Sequence, residues 1–153
     1  KTAELFGAAM KVPAILTNKS PKLIKQLNTL GINYGIIFQI IDDNLDYFGG
    51  KETGKFIGQD FLEGKVTLPI ILLLKKINKD QKEKINTIFQ KKKRTIKELK
   101  EIIKLLQKYE IEQECREYAE KISVKSLSIL NKFENKQSQL LKELLITSIK
   151  RRN

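Results

Sequence analysis

From Leu23 onward, Leu27, Leu30, Tyr34, Phe38 and Ile41 return at spacings of three and four. That rhythm matches the helical repeat and no strand, so one apolar stripe runs along a single helix. Ser20 and Pro21 open it, with Ser20 as N-cap and Pro21 at the first helical position. Gly31 and Gly35 fall inside the pattern, where a close helix–helix contact accounts for them. The rest of the chain follows suit. Gly and Pro number only 8 and 3 in 153 residues, while Leu, Ile, Lys, Glu and Gln dominate, a balance that leans to helix. Residues 1–11 read as the tail of a helix halted near Pro13. A helix resumes around "VTLPIILLLKK", with Pro69 either in its first turn or at a kink. Further helices are expected over 81–92, capped by Asp80, over 96–108, opened by Thr95, and near 111–134 and 136–150. No strand, repeat or disordered linker is predicted. The expected fold is all-α, an antiparallel helical bundle forming a single domain over 1–153.

The residue inventory excludes several chemistries. There is no histidine, which removes Ser-His and Cys-His catalysis and imidazole metal ligands. Cys115 stands alone, so neither an internal disulfide nor a cysteine zinc site is available, and it reads as a small buried apolar residue. Any metal must be held by oxygen, which favours hard cations such as magnesium. The formal charge of +12 follows from lysine-rich helix faces; an anionic phosphate ligand suits the same field. No aromatic-basic interleaving accompanies the lysines, so nucleic acid is not expected as a partner. "KKKR" at 91–94 reads as an exposed helix end or inter-helix turn, with an acidic partner or headgroups as the lesser reading. No apolar run reaches membrane-spanning length and no secretory signal is present, so a cytoplasmic location is expected. The chain begins at Lys1 and its only methionine is Met10; a fragment or processed chain with an upstream part elsewhere is expected.

Against this basic background, "DDNLD" at 42–46 places three of the five aspartates at the end of the apolar stripe. On a helix, Asp42 and Asp46 stand within about 40° of each other, and Asp43 lies between them and the next turn. Like charges at that spacing repel, and the helix C-terminus disfavours anions. A divalent cation would reverse both penalties. From the residues alone, the cluster is either an exposed helix end or a cation site. The glycine-rich loop "GGKETGKFIGQD" (49–60) follows, and Lys55 and Lys65 offer point charges to a phosphate.

"GINYGIIFQIIDDNLDYFG", followed by "TGKFIGQDFLEGKVTLPIILL", resembles the second aspartate-rich region of the trans-type polyprenyl diphosphate synthases. "KTAELFGAA" at the start resembles the same family's Lys-Thr segment, and the "EGKVTLP" ending is similar to its long-chain octaprenyl and solanesyl members. Three blocks in order cover roughly residues 1–75; beyond them only the helical character and a basic end are shared. The resemblance implies the C-terminal half of the isoprenoid synthase fold, a homodimer or heterodimer, and magnesium-dependent prenyl transfer from an allylic diphosphate to isopentenyl diphosphate. It also implies residue roles. Asp42, Asp43 and Asp46 would be magnesium ligands, and Gln39 the glutamine preceding them. Lys1 and Thr2 would be the catalytic Lys-Thr pair beside the allylic diphosphate, and Lys1, Lys55 and Lys65 its lysine partners. Asp60 falls where the family often carries an acid.

One departure limits these expectations. The family's first aspartate-rich motif, and the Lys and Arg residues that grip isopentenyl diphosphate, belong upstream of the Lys-Thr segment and do not occur in these 153 residues. The chain is therefore expected not to catalyse prenyl transfer by itself. It is expected either to work with a complementary N-terminal half or to be a truncated, non-catalytic remnant, with exposed apolar faces that drive self-association.

Overall fold

The computed structural model describes residues 1–49 and 57–151. Eight helices follow one another: α1 (Thr2–Leu16), α2 (Pro21–Phe48), α3 (Gln59–Glu63), α4 (Leu68–Lys76), α5 (Lys79–Gln90), α6 (Ile96–Lys108), α7 (Ile111–Leu130) and α8 (Lys136–Lys150). No strand occurs among the described residues. The described residues group into two compact units, one of residues 1–41 with 116–151 and one within residues 42–115.

In the first unit, α1 runs on through Pro13 to Leu16 instead of stopping before it. Proline this close to a helix end forfeits one backbone bond and leaves the remaining turn intact. The Pro13 carbonyl accepts both the Thr17 backbone N–H (3.1 Å) and the Thr17 hydroxyl (2.8 Å), and Asn18 at φ 51° turns the chain away. Ser20 then caps α2 through its hydroxyl, which accepts the Leu23 N–H at 3.3 Å. The glycines of the apolar stripe bring two backbones together. A β-carbon built on Gly31 would lie 2.3 Å from the Phe6 carbonyl oxygen, and one on Gly35 would lie 2.5 Å from Ala3 Cα. The unit's core holds Leu30, Tyr34, Ile37, Ala119, Leu130 and Leu145. Tyr34 donates its hydroxyl proton to the Leu141 carbonyl, and burial pushes its pKa up to about 12. Arg116 closes the end of α8 by donating to the carbonyls of Ile149 and Arg151.

The second unit contains one helix that the sequence pattern did not reveal. α3 has five residues and lies between Gly58 (φ 82°) and Gly64 (φ 80°), left-handed positions that glycine occupies without steric cost. Its Phe61 is fully buried and meets Phe89 of α5 edge-on at 5.5 Å. Pro69 sits in the first turn of α4 as expected. Asn78, rather than Asp80, caps α5: its side chain accepts the Gln81 N–H, and Gln81 bonds back to the Asn78 N–H. That reciprocal box satisfies two orphan amides at once, which Asp80, inside the first turn, does not. Thr95 and Glu98 form the same box at the start of α6. α7 ends at Leu130, four residues short of the expected boundary, because Asn131 and Lys132 turn the chain toward the Asn135 cap of α8. Cys115 is fully buried.

Candidate functional site

The three aspartates occupy the last two turns of α2. Asp43 is buried, at 9% exposure, while Asp42 and Asp46 are half-buried. Asp46 reaches forward in sequence. Its Oδ1 accepts the Gln59 N–H at 3.1 Å, its Oδ2 the Asp60 N–H at 3.0 Å, and its carbonyl the Gly58 N–H at 2.7 Å. One carboxylate thus serves as the N-terminal cap of α3, a role the five-residue helix has no side chain of its own to fill. Burial is the main reason the Asp46 pKa rises, to about 6. The negative charges of Asp60 and Asp42 add to it, and the two N–H bonds oppose it.

Lys65 answers part of that charge. Its ammonium donates to Asp60 at 2.9 Å and pairs with Glu63 at 2.8 Å. These contacts hold its pKa above the usual lysine value although the side chain is largely exposed. The structure therefore sets Lys65 against the acids of α3, and a diphosphate would have to draw it from them. Asp60, whose role the sequence left open, is both the counter-ion of Lys65 and the residue whose amide Asp46 holds. Lys55 lies outside the described residues.

In the first unit the structure brings two predicted residues together. Thr2, at the first position of α1, donates its hydroxyl proton to the Gln39 side-chain oxygen at 3.2 Å, across 37 residues of sequence. The glycine-mediated approach of α1 to α2 makes this reach attainable. Lys1 is the N-cap residue of α1, and its carbonyl accepts the Leu5 N–H at 3.2 Å.

Two supports were missed from the sequence. Arg94, the last residue of "KKKR", does not join the lysines at the surface. It donates to the carbonyls of Phe89 (3.0 Å), Lys91 (2.8 Å) and Leu62 (3.3 Å), tying the α5–α6 turn to α3. Gly64 accommodates that guanidinium; a β-carbon there would lie 2.3 Å from it. Tyr47, 2% exposed, stands next to Asp46 in sequence, and its burial holds the phenol protonated.

Among the described residues, no three acidic side chains already converge as a metal cage. The donor set still fits magnesium, which takes one or two protein carboxylates and completes its shell with water and phosphate oxygens. Asp42 and Asp60 both raise the Asp46 pKa through their negative charge, and a bound cation would oppose that repulsion.

The polyprenyl synthetase family matches residues 1–106. A geranylgeranyl diphosphate synthase of Sulfolobus acidocaldarius is 30% identical over 99% of this chain and 47% of its own length. The octaprenyl diphosphate synthase of Escherichia coli is 40% identical over 59% of this chain and 28% of its own. A polyprenyl synthase of Caulobacter crescentus, solved in complex with calcium and isoprenyl diphosphate, superposes with a TM-score of 0.90 at 31% identity. That match covers all of this chain and 47% of the solved one. The chain thus spans half or less of the length of the relatives it matches, and its helices follow the isoprenoid synthase fold. It belongs to the polyprenyl synthetase family.

Proposed function

We propose that this chain supplies the second aspartate-rich, diphosphate-handling part of a prenyltransferase that joins isopentenyl diphosphate to an allylic diphosphate. The octaprenyl-type, long-chain product is the reading that "EGKVTLP" favours. The observation that carries the proposal is the Asp46 clamp. It ties a half-buried carboxylate at the end of α2 to the Gln59 and Asp60 amides of α3, and the Asp60 side chain in turn holds Lys65.

Asp42, Asp43 and Asp46 would hold magnesium, which when bound supplies Lewis-acid stabilisation of the departing diphosphate. The chain's own groups have separate tasks. Lys65, with Lys55 and Lys1, would meet phosphate oxygens with mobile ammonium groups. Asp60 and Glu63 keep Lys65 charged and aimed until a stronger anion competes for it. The Thr2–Gln39 bond fixes the amide so that its N–H donors stay oriented. Ionisation of the allylic diphosphate and attack by isopentenyl diphosphate, with gain of five carbons, need the first aspartate-rich motif as well. We therefore propose activity dependent on a segment bearing it, in the same or another chain, as a homodimer or with a complementary N-terminal half. The alternative is a truncated, partner-dependent or non-catalytic subunit of such a synthase.

The test is calorimetric titration of inorganic pyrophosphate with and without magnesium. Binding should require magnesium and weaken at least about tenfold in Asp42→Ala. Magnesium-independent binding that survives this substitution would sink the reading.

A further inference from the structure

The chain's positive charge is not spread evenly. Residues 75–108 hold thirteen Lys and Arg against four Asp and Glu, a net +9 of the chain's +12. Lys75 and Lys76 end α4, and the structure folds the rest of the stretch into the α5–α6 hairpin and sorts its cations. Lys84 pairs with Glu101, Lys91 with Glu98, and Lys76 with Glu114. Arg94 is consumed inside the turn. Lys92, Lys93, Lys100 and Lys104 are exposed and make no ion pair among the described residues. Because Arg94 donates to the Phe89 and Lys91 carbonyls on the α5 side of the turn and to the Leu62 carbonyl of α3, the turn that displays Lys92 and Lys93 is braced.

Beside them lies apolar material. Ile96, the first residue of α6, stands 44% exposed between Lys93 and Lys97. Two adjoining cavities of about 470 and 360 Å³ run between α5 and α6 and share Lys84, Ile88 and Glu101. The second has a floor of Ile85, Ile102 and Leu105 below Lys104 and Lys108. Lysine heads over an apolar floor, with an exposed isoleucine at the tip, make an amphipathic surface.

We propose that the α5–α6 hairpin is a docking surface for an anionic lipid bilayer, with Lys92, Lys93 and Lys97 on the headgroups and Ile96 at the acyl boundary. Charge complementarity carries the choice: a leaflet bearing anionic lipids attracts such a polybasic patch and is met at several points at once. Nucleic acid fits less well. The hairpin's one arginine is turned inward, no exposed aromatic offers a base a stacking face, and an exposed isoleucine contributes nothing against a phosphate backbone. At a membrane boundary the same isoleucine adds buried apolar area. The proposal rests on the hairpin alone and is independent of the reaction proposed above.

Co-sedimentation of the chain with vesicles tests it. Vesicles of equal parts phosphatidylglycerol and phosphatidylcholine should bind the chain at low salt and release it at high salt, and pure phosphatidylcholine should not bind. Lys92→Gln, Lys93→Gln and Lys97→Gln combined should weaken binding about a hundredfold, roughly fivefold per lysine. The same charge removed elsewhere, by Lys121→Gln, Lys125→Gln and Lys132→Gln, should cost far less. Ile96→Ser should weaken vesicle binding while leaving binding to heparin unchanged. Circular dichroism confirms that each variant stays helical. Three outcomes overturn the proposal: no binding to anionic vesicles, an equal loss in the control triple, or tighter binding to single-stranded RNA than to the vesicles.

Discussion

The carboxylate of Asp46 holds the backbone N–H of Asp60 at 3.0 Å, fourteen residues away, while the Asp60 side chain holds Lys65 at 2.9 Å. One aspartate of the "DDNLD" cluster is therefore a structural clamp as well as a candidate ligand. That dual role separates it from its neighbours.

Asp46→Ala should release α3. Two backbone N–H groups lose their acceptor, at about 2 kcal/mol of stability, and hydrogen exchange at the Gln59 and Asp60 amides should accelerate. Asp42→Ala should leave that exchange unchanged and weaken only magnesium-dependent pyrophosphate binding. Equal exchange behaviour in the two variants would refute the division of labour.

Gly31→Ala should be among the most disruptive small substitutions in the first unit. Its methyl carbon would meet the Phe6 carbonyl at 2.3 Å, and backbone cannot yield as a side-chain tip does. A loss of about 1–3 kcal/mol is expected, as for overpacked cores, read from chemical denaturation. The Thr2–Gln39 bond should open with it; a variant as stable as the parent would show that α1 can move away freely.

Glu98 provides a pH test. Lys91, the Thr95 N–H and the Thr95 hydroxyl lower its pKa to about 2. A carboxyl with a depressed folded-state pKa contributes stability above its unfolded value, near 4.5, and loses it as pH falls toward 2. Glu98→Gln should therefore be less stable than the parent at pH 6, and the gap should close as the pH approaches 2. A gap constant from pH 6 to pH 2 would exclude the capping charge as its cause.

Exposed apolar residues gather on the first unit: Leu5 at 71%, Leu16 at 76% and Leu144 at 58%. Water-exposed leucines in that number favour association. Sedimentation velocity should show the chain self-associating at micromolar concentration, and Leu5→Glu with Leu16→Glu should shift it toward monomer. A parent that sediments as a monomer at every concentration tested would contradict this.

Much of the architecture was written in local pattern. The 3.6-residue rhythm of Leu23 to Ile41, the Ser20–Pro21 start and the Thr95–Glu98 box each act within a few residues, so one sequence reveals them. The α3 helix escaped because five residues carry too little periodicity, and its cap comes from Asp46 rather than from a neighbour. Pro13 misled for a related reason: the helix end is set by Thr17 and Asn18 beyond it.

An all-helical character, an oxygen-only donor set and an aspartate cluster at the end of a long helix could all be read from composition and short-range spacing. It took the folded chain to show that Asp46 caps α3, that Lys65 turns to Asp60 and Glu63, that Thr2 meets Gln39, and that Arg94 leaves the basic tip to brace the turn. Each of these joins residues that no periodic pattern links. Side-chain partners over such distances are fixed by how closely helices pack, and here glycines at 31, 35, 58 and 64 set those distances.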